Sequence, residues 1–127
     1  MPTLYGVFRS RASRPIWLLY ELDEAFDHVP VIQAYRLPQA SAPDAPLNTA
    51  SAEFLKVNPQ GQIPAYVEGD LVLTESLSIT NHIARTRGGV LGAKTAAEQA
   101  LIDQWTLLAV TAVETPALEI LNVQGAG

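Results

Sequence analysis

Three short stretches carry groups able to do chemistry. Arg9-Ser10-Arg11-Ala12-Ser13-Arg14 is a basic, hydroxyl-rich corner just ahead of a helix. Hydroxyls beside guanidinium groups favour an anion, although three charges are also ordinary solvated surface. Glu75-Ser76 opens a second helix, where unpaired N–H groups and the positive dipole end attract carboxylates. The same pair also reads as a plain cap, with Thr74 or Ser76 capping and Glu75 as a first-turn acid. Between them lies Asn58-Pro59-Gln60-Gly61-Gln62-Ile63-Pro64. An X–Pro bond is the one place where cis costs only about 0.5–1 kcal/mol. A cis turn at Ile63-Pro64 would leave the preceding N–H and C=O open to an extended peptide; a trans proline that merely starts a strand is the alternative.

The missing residue types narrow the chemistry. The sequence has no cysteine, which removes disulfides, cysteine nucleophiles and cysteine metal sites together. His28 and His82 are isolated, too few for a metal site, so packed or solvated roles and no metal are expected.

The elements that must position these stretches follow from periodicity. Thr3 to Val7 reads as a buried strand. Pro15 suits a helix's first turn, and Ile16, Trp17, Leu19, Tyr20 and Leu22 continue at helical spacing to near Asp23. His28 to Gln33 is a second strand, with Pro30 arguing for an edge or a bulge, and strand-helix-strand makes a right-handed parallel unit. Leu37 to Ser51, rich in proline, alanine and serine, reads as a loop, either a linker or the wall of a pocket. Ala65 to Val67 and Leu71 to Leu73 flank Glu68-Gly69-Asp70 as a hairpin. Glu75 to Arg87 is a helix closed by basic residues and Gly88-Gly89. From Ala93 a further helix carries Leu101, Trp105, Leu108 and Ala112 on one stripe, and Pro116 should kink or end it.

At 127 residues the chain suits one compact domain with a real core, with room for an appendage and too short for two full domains. Its 48% hydrophobic and 17% charged content is that of a folding chain. A net charge of −5 offers no broad positive field for a phosphate backbone, so no nucleic-acid partner is expected. No apolar run approaches the roughly 18 residues of a membrane span, and no signal pattern opens the chain. A soluble cytoplasmic protein with no membrane partner is therefore expected.

The βαβ–ββα order, the NPQGQIP turn, the TES helix start and the SRASR corner together resemble the glutathione transferase family, with the serine-type theta-like and related bacterial branches nearest. The resemblance implies an α/β fold: a thioredoxin-like glutathione-binding domain over residues 1–89, then an incomplete start of the all-α second domain over 90–127. It also implies glutathione as co-substrate, a small electrophile as partner substrate, and a homodimer.

Residue by residue, the resemblance gives Ile63 a backbone role toward glutathione beside a cis Pro64. Ser76 takes the γ-glutamyl carboxylate, Glu75 helps hold that end, and Gln62 reaches the glycine carboxylate. Arg11 joins the glutathione-binding set. Asp103 matches an aspartate that reaches across a dimer to the γ-glutamyl ammonium. Ser10 matches the serine of the S-x-x-x-R corner and would donate to the glutathione sulfur, with Ser13 as runner-up. Ser10 is preferred because a helix N-cap role explains Ser13 by itself. The magnitudes agree: lowering a thiol pKa from about 8.5 by about two units needs roughly 2.7 kcal/mol. One hydroxyl bond to a charged group supplies about 1.5–3 kcal/mol.

The expected activity is conjugation of the glutathione thiolate to an electrophile, performed by the whole protein, since most of the electrophile site belongs to helices beyond this stretch. The alternative is a non-catalytic glutathione- or protein-binding module. A cysteine-type reductase is disfavoured because no protein sulfur exists to form a mixed disulfide.

Overall fold

The computed structural model describes residues 1–126. The chain divides into two compact units, Met1–Gly92 and a second beginning at Ala93.

In the first unit, β1 (Thr3–Tyr5), β2 (Asp27–Val29), β3 (Ala65–Glu68) and β4 (Leu71–Thr74) form one mixed sheet in the order β2-β1-β3-β4. β1 pairs parallel with β2, while β3 runs antiparallel to both β1 and β4. The helices α1 (Ser13–Glu21), α2 (Ala52–Val57) and α3 (Ser76–Arg87) cover it.

Strand alternation sorts the core into two faces. Leu4 and Tyr66, opposite each other in register, face α1 and α3 and pack with Ala12, Ile16, Leu19, Ile79 and Ile83. The 12-16-19 and 79-83 spacings keep each helix's apolar side on one stripe. On the other face, Ala65 packs with Val31 and Phe54, and the Tyr5 and Phe54 rings lie 6.1 Å apart. Burying one such side chain is worth about 1.5–3 kcal/mol.

The second strand is shorter than its sequence pattern suggests. Pairing stops at Val29, because Pro30 has no N–H to extend the ladder, and β2 accordingly lies at a sheet edge. The short helix α2 lies beyond the pattern altogether: six residues with one buried side chain, Phe54, show no period. The preceding loop is fixed by its own hydrogen bonds. Asn48 is buried and donates to the carbonyls of Ala40 and Pro46 while accepting from the Ala50 N–H. A bridge to Ile32 then fastens the loop to the strand side.

The second unit is helical throughout. In α4 (Ala96–Leu108), Thr95 caps the first turn by accepting from the Glu98 N–H at 3.1 Å. A π-helical stretch over Ala109–Glu114 then leads into α5 (Thr115–Ala126). Pro116 neither ends the helix nor leaves it regular. Its ring and missing N–H disfavour a regular α turn around residue 112, and the wider π turn accommodates both. Trp105 is 59% exposed, and Leu101 and Leu108 are also exposed. By length and composition, Ala96–Gly125 is apolar enough to cross a membrane. Threonines, glutamines and acidic residues interrupt its apolar runs, so no single uninterrupted apolar run marks it in the sequence.

Beneath the hairpin, the buried Tyr66 hydroxyl donates to Glu68 Oε2 at 2.9 Å. Arg87 bridges Glu68 and Glu24. Burial raises the Tyr66 pKa above its ordinary value, against the opposing pull of the Arg87 charge. Folding then favours the protonated phenol, so this contribution is fully present below about pH 10 and is lost as pH rises through the raised folded value. In urea unfolding, the stability of the wild type relative to Tyr66→Phe should fall as pH passes about 10. A constant difference from about pH 8 to about pH 11 would contradict it.

Candidate functional site

The register of the sheet gathers the three reactive stretches. Val29, Tyr5, Ala65 and Thr74 form one row across the four strands. The residues just beyond that row, Gly6, Pro64 and Glu75, therefore leave the sheet at the same end.

Gly6 is where the first two stretches meet. Its φ is +147°, and a Cβ there would lie 2.6 Å from the Ala12 Cβ and 3.6 Å from the Ile63 Cβ. Only a residue without a side chain lets the end of β1 pass so close to both the helix start and the turn.

The turn itself is folded by a residue to which the sequence reading gave no role. Asn58 is buried; its amide donates to the Gln62 carbonyl at 2.8 Å and its Oδ1 accepts from the Gln60 N–H at 3.1 Å. Gly61 adopts φ +61°, with a would-be Cβ 2.9 Å from the Thr49 carbonyl oxygen. The Ile63–Pro64 peptide bond is cis. The Ile63 side chain packs toward the Val31–Phe54–Ala65 cluster, while the Gln62 side chain is exposed. The signal for Asn58 was in plain view: an Asn before Pro favours a side-chain-locked turn.

At the third stretch the helix begins one residue later than its pattern suggests. Glu75 occupies the N-cap of α3 with φ +69° and makes no side-chain cap hydrogen bond. Neither Thr74 nor Ser76 is therefore the cap. A non-glycine residue at positive φ costs about 1–3 kcal/mol and persists where its surroundings hold it. Here Glu75 is exposed, so no packing gain of its own side chain offsets that cost. Ser76 is 6% exposed, and its Oγ accepts from Arg14 Nη1 at 3.0 Å. Arg14 belonged to the basic cluster in the sequence but was not singled out, since spacing alone could not show which arginine turns inward. Arg11 is exposed at the corner.

The structural role in the corner falls to Ser10 and not to Ser13. Ala12 occupies the N-cap of α1, with no side-chain cap bond, and Ser13 is an exposed first-turn residue. Ser10 instead folds the corner: its hydroxyl donates to the Val7 carbonyl at 2.7 Å and accepts from the Ala12 N–H at 3.0 Å. The expected N-cap role of Ser13 is thus not found, because the chain enters the helix one residue earlier. The ground for preferring Ser10 must come from its placement beside Gly6 and the helix start.

The histidines have packed roles. His28 makes a 2.8 Å hydrogen bond to the Gly6 carbonyl, and His82 lies 3.7 Å from Glu68. Among the described residues no cluster of His, Cys, Asp or Glu could hold a metal. Asp103 lies on α4, exposed, accepting from Gln99 Nε2 at 3.0 Å.

Comparison with known proteins matches residues 2–85 to the family described as glutathione S-transferase, N-terminal domain. Glutathione S-transferase F10 of Arabidopsis thaliana is 36% identical over 75 residues, 56% of this chain and 35% of that protein. The solved structure of poplar glutathione transferase F1 is 26% identical with a TM-score of 0.72, covering 93% of this chain and 52% of that one. Its coverage extends past the first unit into the helices. The theta class glutathione S-transferase of Xanthomonas axonopodis pv. citri, solved with glutathione bound, shares the fold at 24% identity and a TM-score of 0.70, over 87% of this chain and 48% of that one. The chain thus spans about half the length of these solved structures and about a third of the Arabidopsis protein.

Gly69, at φ +59° with open space around it, is a reference for alanine strain in the left-handed region, whereas Gly6 at φ +147° combines a different backbone strain with a close contact. Gly69→Ala should cost about 1–2 kcal/mol, the conformational term alone. Gly6→Ala adds overpacking of about 1–3 kcal/mol. Urea denaturation of both variants checks this, with the larger loss expected at Gly6; an equal or smaller loss there would contradict it.

Proposed function

The chain belongs to the glutathione S-transferase family, and from that premise we propose that its first unit binds glutathione and activates the thiol for attack on an electrophile. The observation that carries this is the common sheet end shared by Gly6, Pro64 and Glu75, with Arg14 tied to Ser76 across it. The tripeptide lies along the Ile63 backbone as an added strand would. Its γ-glutamyl carboxylate meets Ser76 and the N–H groups at the start of α3, where the dipole favours a negative charge. Glu75 helps to hold the γ-glutamyl end, Gln62 reaches the glycine carboxylate, and Arg11 adds positive charge at the corner.

Ser10 stabilises the thiolate by turning its hydroxyl from the Val7 carbonyl toward the sulfur. That exchange is favourable because a bond to a charged acceptor is roughly twice as strong as a neutral one. The thiolate sulfur then forms a bond to the electrophilic carbon, and the electron pair displaced there leaves with a departing group or is protonated. In the whole protein, as a cytoplasmic homodimer, Asp103 of α4 faces the γ-glutamyl ammonium of the neighbouring site.

One observation favours a second reading, a glutathione-binding module without turnover. The Ser10 hydroxyl already has both a donor and an acceptor partner in the corner, and a hydroxyl that kept them would leave the thiol pKa unchanged.

Titrating thiolate absorbance in the glutathione complex separates the two. The enzyme reading expects a thiol pKa about two units below 8.5 for the wild type and Ser13→Ala, returning toward 8.5 in Ser10→Ala. Binding with a thiol pKa near 8.5 in all three proteins establishes the module instead. Absence of glutathione binding by the wild type removes both.

A further inference from the structure

We propose that Arg14 is a positioning residue that aims the Ser76 hydroxyl at an incoming carboxylate. This rests on the reading that the first unit binds glutathione. Arg14 lies in the first turn of α1 and Ser76 in the first turn of α3, 62 positions apart in the chain, yet Nη1 and Oγ are 3.0 Å apart. A guanidinium has five N–H donors and no acceptor, so the serine oxygen must accept. A serine hydroxyl has one hydrogen and two lone pairs. With a lone pair fixed by Arg14, the hydrogen is confined to the remaining directions, and it is held for an acceptor arriving at the helix start.

The contact also sets the strength of that donor. A hydroxyl that accepts from a cation is polarised, and hydrogen bonds in series strengthen one another at low local dielectric. Ser76 is 6% exposed, so water competes weakly for it. Arg14 is itself only partly exposed, which keeps its charge less screened than that of the exposed Arg9 and Arg11.

Position gives the contact a second consequence. Ser10 and Arg14 belong to the same corner and first helical turn, so one short segment borders the sulfur while supporting the carboxylate subsite. Arg14 therefore acts on specificity for the γ-glutamyl end, and the sulfur subsite is a separate readout.

The test uses the full chain, glutathione, and γ-aminobutyryl-cysteinyl-glycine, which is glutathione lacking only the γ-glutamyl carboxylate. Calorimetric affinities are measured for the wild type, Arg14→Gln, Arg14→Lys, Ser76→Ala and the Arg14→Gln/Ser76→Ala pair. Loss of the charge-assisted bond should weaken glutathione about tenfold to a hundredfold in Arg14→Gln. The analogue, with no carboxylate to receive, should change little. Arg14→Lys, which keeps a charge and a donor without the planar fork, should fall between. The double variant should bind no worse than Ser76→Ala alone, since the two side chains act as one unit. Equal weakening of both ligands in Arg14→Gln, or strict additivity in the double variant, overturns the positioning role. Should Arg14→Gln fail to fold, the ligand ratio in Arg14→Lys decides by the same criterion. A wild type that binds neither ligand overturns the glutathione reading itself, whereas a wild type that discriminates and an Arg14→Gln that still does so overturn only the role of Arg14.

Discussion

The candidate site depends on a missing side chain. Gly6 follows β1 at φ +147°, where an added Cβ would stand 2.6 Å from Ala12 and 3.6 Å from Ile63. Three elements converge on that point: the sheet's inner strand, the entrance to α1, and the turn that precedes β3. A methyl group there would force the strand end, the Ala12 side chain or both to shift, moving the corner relative to the turn. Close packing makes such an interior unforgiving, since a methylene is already felt.

The remaining geometry follows from the register of the sheet. Because Tyr5, Ala65 and Thr74 lie in one row, the chain leaves β1 and β4 and enters β3 at the same end. Each connection is then shaped by a different device. Ser10 brackets the corner with two hydrogen bonds, Asn58 folds the turn with two more, and Glu75 takes a strained backbone conformation ahead of α3. The buried layer of Leu4, Ile16, Leu19, Tyr66, Ile79 and Ile83 holds α1 beside α3, which is what brings Arg14 within reach of Ser76. Core packing and site geometry are thus the same fact seen from two sides.

The second unit is built on another principle. It is a run of helix whose apolar residues are largely exposed, and whose regularity yields to a π stretch just before Pro116. A helix with exposed leucines and tryptophan has surface that favours burial against another element. Relatives about twice as long as this chain match it across the first unit and into these helices.

Much of the first unit was legible in the sequence. Period-two and helical spacings, the Glu68-Gly69-Asp70 hairpin and the basic, glycine-stopped end of α3 are local signals, set by side-chain direction and backbone sterics within a few residues. The NPQGQIP turn, the helix opening at Glu75-Ser76 and the corner at Ser10 were found the same way. Tertiary structure decided what depends on neighbours distant in the chain. Sheet pairing ended β2 at Val29, and Phe54 became a helix because a core face needed covering. The chain entered α1 at Ala12, which left Ser13 without its expected capping role and gave Ser10 hydrogen bonds within the corner. Arg14, one of three similar arginines in a row, turned inward because the packing of α1 on α3 set Ser76 beside it. Local propensity describes which conformations a segment favours; only the close packing of segments selects which side chain meets which.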